Sequence, residues 1–210
     1  VIRFGRFVPH PWVHVTFLVA LEDERGQDLA KVMVEHCDQK SVVDIAKELR
    51  ARAMKLHAKE DDEFKKQIAL LRWVPGIFVK PILNFVGWLT GVWGLNIPSL
   101  GLTPYPFGSV VITNVGVFDL DEGYAPHTPF AHIPLYVTMG RMRDEVVVEE
   151  GEPVVRKVLT LAATIDHRFM DGAQGAVLAK TVRKYFAQPQ RLDPEELAGP
   201  SAADVSLPAS

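Results

Sequence analysis

The stretch IDHRFMDG, residues 165–172, places four charged or ionisable side chains and a glycine between an apolar, β-prone run and an alanine-rich one. Such side chains are costly to bury unless they are paired or serve a chemical purpose. The run at 158–165 predicts a strand, and apolar residues at helical spacing after Gly172 predict a helix that ends at Pro189. We therefore expect a functional loop where a strand passes into a helix.

His167 is the candidate base of this loop. Imidazole titrates near neutrality, so a histidine in a partly dry site accepts a proton from a thiol or hydroxyl and returns it to a leaving group. Asp171 is predicted to pair with a buried arginine and fix the loop, and Gly172 to allow close approach of the chain. A His-x-x-x-Asp spacing is weak by itself, so a purely structural role for His167 as a helix cap stays open at this point.

The composition is that of an ordinary soluble globular protein. The 210 residues are 48% apolar and 23% charged, with a formal net charge of −3, which argues against a nucleic-acid binder. The single cysteine, Cys37, excludes an internal disulfide framework, and without a CxxC or Cys/His cluster we expect no structural metal. We expect a reducing compartment, the cytoplasm or an organelle matrix, and a domain that lacks its N-terminal part before Val1.

The first 60 residues predict two strands and a helix. In residues 12–21 apolar side chains alternate with His14 and Thr16, which predicts a strand, and a turn at 22–26 leads to a weaker one at 29–34. Ser41 followed by Asp44 resembles a capping box. A helix running to about residue 58 then has an apolar stripe, formed by Val42, Ile45, Leu49 and Leu56.

The remaining strands decide the fold class. Strands are predicted at 109–113 and 133–140, and a hairpin at 145–149 and 153–158 flanks an acidic turn before the last strand. Strands joined by hairpins, with two or three helices between them, predict an α+β two-layer sandwich of a mixed, largely antiparallel sheet with packed helices. Residues 193–210 have no periodicity and are predicted to be a flexible tail.

Residues 81–118 contain no charged side chain. A membrane-spanning helix needs about 20 continuous apolar residues, and this run is interrupted by polar or helix-breaking residues at Asn84, Thr90, Asn96 and Pro98. A covering element or a hydrophobic binding surface is favoured over membrane contact. Residues 65–79 are predicted to be partly helical.

DHRFMDG resembles the signature of the catalytic domain of the dihydrolipoyl acyltransferase component of 2-oxo acid dehydrogenase complexes, which has a chloramphenicol acetyltransferase-like fold. Residues 151–172 resemble the last hairpin and active-site strand of that family, and SVVITNVGVF at 109–118 resembles its Thr-Ile-Ser-Asn-Leu-Gly strand. KSVVDIAKEL at 40–49 resembles one of its helices. The resemblance covers residues 12–58 loosely and 108–190 well.

The resemblance implies a role for each site residue. His167 would be the general base that takes the proton from the thiol of coenzyme A or dihydrolipoamide, and Thr113 would replace the serine that donates a hydrogen bond to the oxyanion. Asp171 would hold the histidine loop through a salt bridge, and Asp166 and Arg168 would fix the loop without taking part in catalysis. Coenzyme A is implied as a substrate, with lipoamide carried on a separate domain or chain.

The resemblance also implies a homotrimer or a larger assembly of trimers, in which base and oxyanion donor come from neighbouring subunits, and a lipoyl-bearing partner. The catalytic domain would span residues 1–192, with an apolar insertion at about 59–107 that is longer than the family's short link. The alternative is a non-catalytic scaffold that keeps the fold and oligomerises or binds a partner through the insertion. Peptide-bond condensation is disfavoured because Asp166 stands where related proteins have a second histidine.

Overall fold

The centre of the molecule is a mixed sheet of five strands in the computed structural model, which describes residues 1–3, 5–23, 26–57 and 74–192. Two short N-terminal strands, β1 (Ile2–Arg3) and β2 (Arg6–Phe7), pair with each other outside it. The sheet has the order β4-β3-β5-β6-β9. Its strands are β3 (Val15–Asp23), β4 (Gly26–Val34), β5 (Val110–Asn114), β6 (Leu135–Met139) and β9 (Leu161–Ile165).

Strand directions follow from the connections. The pairs β3–β4 and β6–β9 are antiparallel, whereas β3–β5 and β5–β6 are parallel and need long crossover connections. A separate antiparallel hairpin, β7 (Arg143–Glu149) and β8 (Glu152–Val158), stands between β6 and β9 in the chain. The predicted hairpin is present, but the strand predicted at 158–165 is interrupted, because β9 begins only at Leu161.

Both faces of the sheet are covered. Thr16, predicted to alternate with apolar residues on the more polar face, is fully buried, and its hydroxyl donates to the carbonyl of Phe107 at 3.0 Å. A core of Val111, Ala131, Ile133 and Tyr136 covers this face, and a second core of Ala30, Val32 and Leu56 covers the other. The alternation therefore predicted the strand correctly. The Thr16 hydroxyl can be buried because a backbone carbonyl accepts its hydrogen bond.

Helix α1 (Val42–His57) begins as the sequence predicts. The Ser41 hydroxyl accepts the backbone N–H of Asp44 at 3.1 Å and donates to its carboxylate at 2.7 Å. Leu56 is buried and Leu49 packs against the same core, so this part of the predicted stripe faces the sheet. Val42, predicted to belong to the stripe, is instead exposed.

Helix α2 (Gly76–Gly87) continues into a single π turn, Trp88–Val92. Gly87 lies so close to the segment Pro129–Ala131 that a Cβ atom there would be 2.0 Å from the Phe130 carbonyl oxygen. This contact packs the end of α2 directly against the segment Pro129–Ala131. Among the described residues, no helix is both long enough and apolar enough to cross a membrane.

Helix α3 (Gly172–Ala187) follows the loop after β9 and ends before Pro189, as predicted. Its Gly175 faces the side chain of Ile165, so the start of the helix packs beside the last residue of β9. The predicted tail at 193–210 and most of the helical prediction at 65–79 lie outside the described residues. The α+β fold class is confirmed, with helices packed on a mixed sheet.

Candidate active site

The loop between β9 and α3 is a tight turn closed by backbone hydrogen bonds. The N–H of Asp166 donates to the carbonyl of Pro134 at 2.9 Å, which keeps the chain alongside β6 for one residue beyond β9. The N–H groups of Phe169 and Met170 then donate to the carbonyl of Asp166, at 2.9 and 3.3 Å. The backbone on either side of His167 is therefore fixed.

Asp166 and Arg168 form an ion pair across this turn. The Arg168 guanidinium donates through Nε and Nη2 to the Asp166 carboxylate, and the backbone N–H of Arg168 donates to Oδ1 at 3.0 Å. The hydrogen bond from Arg168 lowers the pKa of the Asp166 carboxyl, against the opposing effect of burial. These contacts agree with the loop-fixing role expected for both residues.

Asp171 caps helix α3. Its carboxylate accepts the backbone N–H of Gln174 at 2.8 Å, and the Gln174 side chain accepts the backbone N–H of Asp171 at 3.0 Å, which completes a capping box. Within the described part of the chain Asp171 makes no ion pair, so the expected salt bridge is replaced by this cap. Asp171 still positions the loop, through the helix it starts.

The imidazole of His167 is exposed at the apex of the turn. In the ranges that the structure describes, His167 takes part in no hydrogen bond, ion pair or ring contact. Both ring nitrogens are thus available to a partner outside the chain. The sequence placed this histidine at a strand-to-helix junction, and the structure does so too.

Thr113 lies inside the sheet, on the central strand β5. Its neighbours in the register are Leu18 on β3 and Thr138 on β6, and its side chain is half-buried. No hydrogen bond to the Thr113 hydroxyl is formed within the described residues. The hydroxyl is therefore free to donate, as an oxyanion donor must be.

The sheet register separates the two groups within one chain. Thr113 is level with Thr138, while Ile165 at the end of β9 pairs with Leu135, three residues away along β6 and two strands from β5. At about 3.3 Å per residue and about 4.8 Å per strand, Ile165 lies about 14 Å from Thr113. His167 lies two residues farther along, so one copy of the chain does not bring it to Thr113.

A cavity of about 250 Å³ lies beside the loop, where Arg168 and Phe169 line it. Trp88, Trp93, His132 and Phe169 contribute to its walls, and neither His167 nor Thr113 does. Burial lowers the pKa of His132, and the nearby charge of Arg168 lowers it further. His132 could not be predicted as part of this cavity, because no motif or periodicity marks it in the sequence.

Comparison with known proteins identifies the C-terminal half. Residues 104–193 match the family model "2-oxoacid dehydrogenases acyltransferase (catalytic domain)". The acetyltransferase component of the pyruvate dehydrogenase complex of Rhizobium meliloti is 32% identical over 85 residues, which cover 40% of this chain and 19% of that protein. The chain thus spans about a fifth of the length of this relative.

Two solved structures share the fold. A probable dihydrolipoamide acetyltransferase from Listeria monocytogenes superposes with a TM-score of 0.59 at 14% identity, over 92% of this chain and 62% of that one. The cubic core of a pyruvate dehydrogenase multienzyme complex superposes with a TM-score of 0.56 at 17% identity, over 87% and 57%. The resemblance of DHRFMDG to the catalytic-domain family of the 2-oxoacid dehydrogenase acyltransferases is therefore confirmed, by a match over residues 104–193.

Proposed function

We propose that the chain is a coenzyme A-dependent acyltransferase module that moves an acyl group between coenzyme A and the thiol of dihydrolipoamide, with its active site built between two copies. The observation that carries this proposal is His167, whose exposed imidazole has no partner among the described residues although its loop is held on both sides. The family match over residues 104–193 supports the chemistry.

The reaction needs one base and one hydrogen-bond donor. His167 takes the proton of the attacking thiol, the thiolate sulfur bonds to the thioester carbonyl carbon, and the Thr113 hydroxyl donates to the resulting oxyanion. When the intermediate collapses, its bond to the original sulfur breaks and the leaving thiolate takes the proton back from His167. No other reactant is consumed.

Two copies are needed because the register holds Thr113 about 14 Å from the end of β9. A head-to-tail contact, in which the His167 loop of one copy meets the β5 end of the next, closes into a ring. We assign a homotrimer, or a larger assembly of trimers, to this chain. The likeness to a cubic multienzyme core supports assembly, and a lipoyl-bearing partner in the cytoplasm or an organelle matrix would supply the second thiol.

Mixing two inactive variants tests the shared site. His167→Ala lacks the base and Thr113→Val lacks the donor, so each alone is expected to be inactive. After joint unfolding and refolding in equal amounts, random assembly would give about one quarter of all sites an intact base together with an intact donor. Turnover of acetyl-coenzyme A with dihydrolipoamide should then recover to about a quarter of the wild-type rate.

Mixing without refolding is the control and should give no recovery, because preformed assemblies do not exchange copies at once. A mixed sample that stays inactive, although light scattering shows rings of the same mass, would exclude a site shared between copies.

A second candidate function, a non-catalytic assembly core, is favoured by the outer face of α2. Ile77 is 81% exposed, Phe78 and Phe85 on the same helix are exposed, and so is Trp88 in the π turn that follows. Monomeric proteins rarely expose contiguous apolar surface of this kind. Ile77→Lys/Phe85→Lys should break the assembly if this face holds it, and light scattering would measure the loss of mass. If the wild-type protein assembles but transfers no acyl group, the assembly-core function is supported and the acyltransferase function is not.

A further inference from the structure

Helix α2 is apolar on both of its faces, with Lys80 and Asn84 as its only polar side chains. The inner face packs on the rest of the fold through Gly87, which lies against Phe130, and leads into the buried Thr90 of the π turn. A helix that is apolar all round is normally covered on every side. The outer face has no such cover within the described part of the chain, because its large side chains are exposed.

The exposed side chains of the outer face are contiguous with those of the π turn and the residue after it. Phe85 stacks on Trp88, with ring centroids 6.3 Å apart, and Trp88 meets the ring of Trp93 edge to face at 5.8 Å. We call this apolar area the α2 surface, and its members, each at least 39% exposed, are Ile77, Phe78, Ile82, Phe85, Trp88 and Trp93. Contiguous apolar surface of this kind marks a binding site for a protein or a membrane.

The segment that carries the α2 surface is positively charged. Residues 64–118 contain no aspartate or glutamate, and their charged side chains are Lys65, Lys66, Arg72 and Lys80. The whole chain, in contrast, has a formal net charge of −3. Such a separation of charge is typical of proteins that bind a polyanion or an anionic membrane, and the membrane also offers an apolar layer to the exposed rings.

Two cations lie at the edges of the α2 surface. The guanidinium of Arg3 is 5.8 Å from the centroid of the Trp93 ring, and its Nε donates to the Val92 carbonyl at 2.6 Å. Lys80 is exposed on α2 itself and forms no ion pair within the described ranges. Long cationic side chains of this kind lie along an apolar layer while their charged ends reach the polar boundary.

A second copy of the chain fits the α2 surface less well than an anionic membrane does. Two copies that met through this surface would bring like charges together, because each contributes the same lysines and arginines. Lipid phosphates would neutralise those charges instead. Tryptophans such as Trp88 and Trp93 are also enriched at the depth of lipid headgroups, where the ring is in an apolar layer and the N–H group reaches water.

We propose that the α2 surface docks the protein on an anionic lipid bilayer, with α2 lying in the plane of the membrane. Phe78, Phe85 and Trp88 enter the boundary between headgroups and acyl chains, and Lys80 and Arg3 meet the lipid phosphates. From sequence alone membrane contact is the less favoured expectation for residues 81–118, and the outward rings and neighbouring cations of the structure reverse that order. The docking does not depend on the proposed acyl transfer.

Sedimentation with lipid vesicles tests the proposal on the full chain. The wild type should sediment with vesicles of phosphatidylcholine and phosphatidylglycerol. Phe78→Ser/Phe85→Ser should bind these vesicles about tenfold or more weakly, because two rings no longer leave water. The matched control is Val146→Ser/Val155→Ser, which changes two side chains of similar exposure on the hairpin β7–β8 and should bind as the wild type does.

The charge is tested at a single position. Lys80→Gln should weaken binding to the anionic vesicles by about fivefold, the usual effect of one cation at a membrane surface, and should not change binding to pure phosphatidylcholine vesicles. Lys47→Gln removes an exposed charge from α1, which packs on the opposite face of the sheet, and should have no effect on either.

The depth of the rings is measured by fluorescence. Lipids brominated in their acyl chains should quench the tryptophan emission of the wild type, and Trp88→Phe/Trp93→Phe should remove most of this quenching. Trp12→Phe is the control and should retain it, because Trp12 packs among histidine rings away from the α2 surface.

A wild-type protein that stays in the supernatant with anionic vesicles would overturn the proposal, and so would a phenylalanine variant that binds them as well as the valine variant. If the phenylalanine variant instead loses mass in light scattering without lipid, while the wild type binds no vesicles, the α2 surface contacts a second copy of the chain and not a membrane.

Discussion

The side-chain contacts of the loop at residues 166–171 are made with residues close in the sequence, whereas strand β5 pairs with strands that are distant in the sequence. Asp166 contacts Arg168 and Asp171 contacts Gln174, two and three residues away. Thr113 is flanked in the sheet by Leu18 and Thr138, which are 113 − 18 = 95 and 138 − 113 = 25 residues away. A locally closed loop tolerates side-chain changes without unfolding the sheet, while a central strand does not.

The largest expected effect comes from removing His167, the proposed base in the local loop. His167→Ala should lower the rate of acyl transfer by about 10²- to 10⁴-fold, the usual contribution of a general base. The free energy of unfolding should change by less than about 0.5 kcal/mol, because the imidazole is exposed and forms no hydrogen bond, ion pair or ring contact in the described ranges. Steady-state turnover and urea unfolding measure the two effects, and an unchanged rate would remove His167 from the mechanism.

Removing the donor in the central strand should cost somewhat less. Thr113→Val keeps the branched shape and loses the hydroxyl, so the rate should fall by about 10²- to 10³-fold. Thr113→Ser keeps the hydroxyl and should retain most of the activity. Both rates are measured with acetyl-coenzyme A and dihydrolipoamide. If the valine and serine variants turn over at the same rate, Thr113 does not act as the oxyanion donor.

The difference between the two regions also explains what the sequence could predict. The Ser41 cap of α1, the helix after Gly172 and the hairpin β7–β8 depend on residues close together in the chain, and all were predicted. The pairing of Asp166 with Arg168 is local in the same way. Local chemistry of this kind is visible in a run of a few residues.

The missed features depend on contacts between remote segments. The burial of Thr16 requires the carbonyl of Phe107, and the wall formed by His132 requires the π turn that contains Gly91. The salt bridge predicted for Asp171 also needed a remote arginine, and within the described residues Asp171 instead makes the local contact to Gln174. The parallel register that separates Thr113 from His167 likewise cannot be read from either motif alone.

The cap of α3 should matter less than either of the proposed catalytic groups. Asp171→Ala removes the acceptor for the Gln174 N–H and should destabilise the protein by about 1 kcal/mol. Asp171→Asn keeps a capping oxygen but has no charge, so it should recover most of that stability. Urea unfolding distinguishes the two, and an asparagine variant as unstable as the alanine one would indicate that the charge of Asp171 is needed, as in a salt bridge.

The smallest effect should come from the ion pair of the loop, and it should depend on pH. Arg168 lowers the pKa of Asp166 in the folded protein, so the contribution of this carboxylate is complete above its unfolded pKa of about 3.9. That contribution is lost as the pH falls through the lowered folded value. Because 66% of the Arg168 side chain is exposed, the pair should contribute less than about 1 kcal/mol. The melting temperature of Asp166→Asn should lie below that of the wild type at pH 7 and closer to it at pH 3. Glu150 is an exposed carboxyl in a turn, so Glu150→Gln should have the wild-type melting temperature at both pH values. A gap for Asp166→Asn that is equally wide at pH 3 would mean that the backbone of the turn, rather than the charge of Asp166, holds the His167 loop.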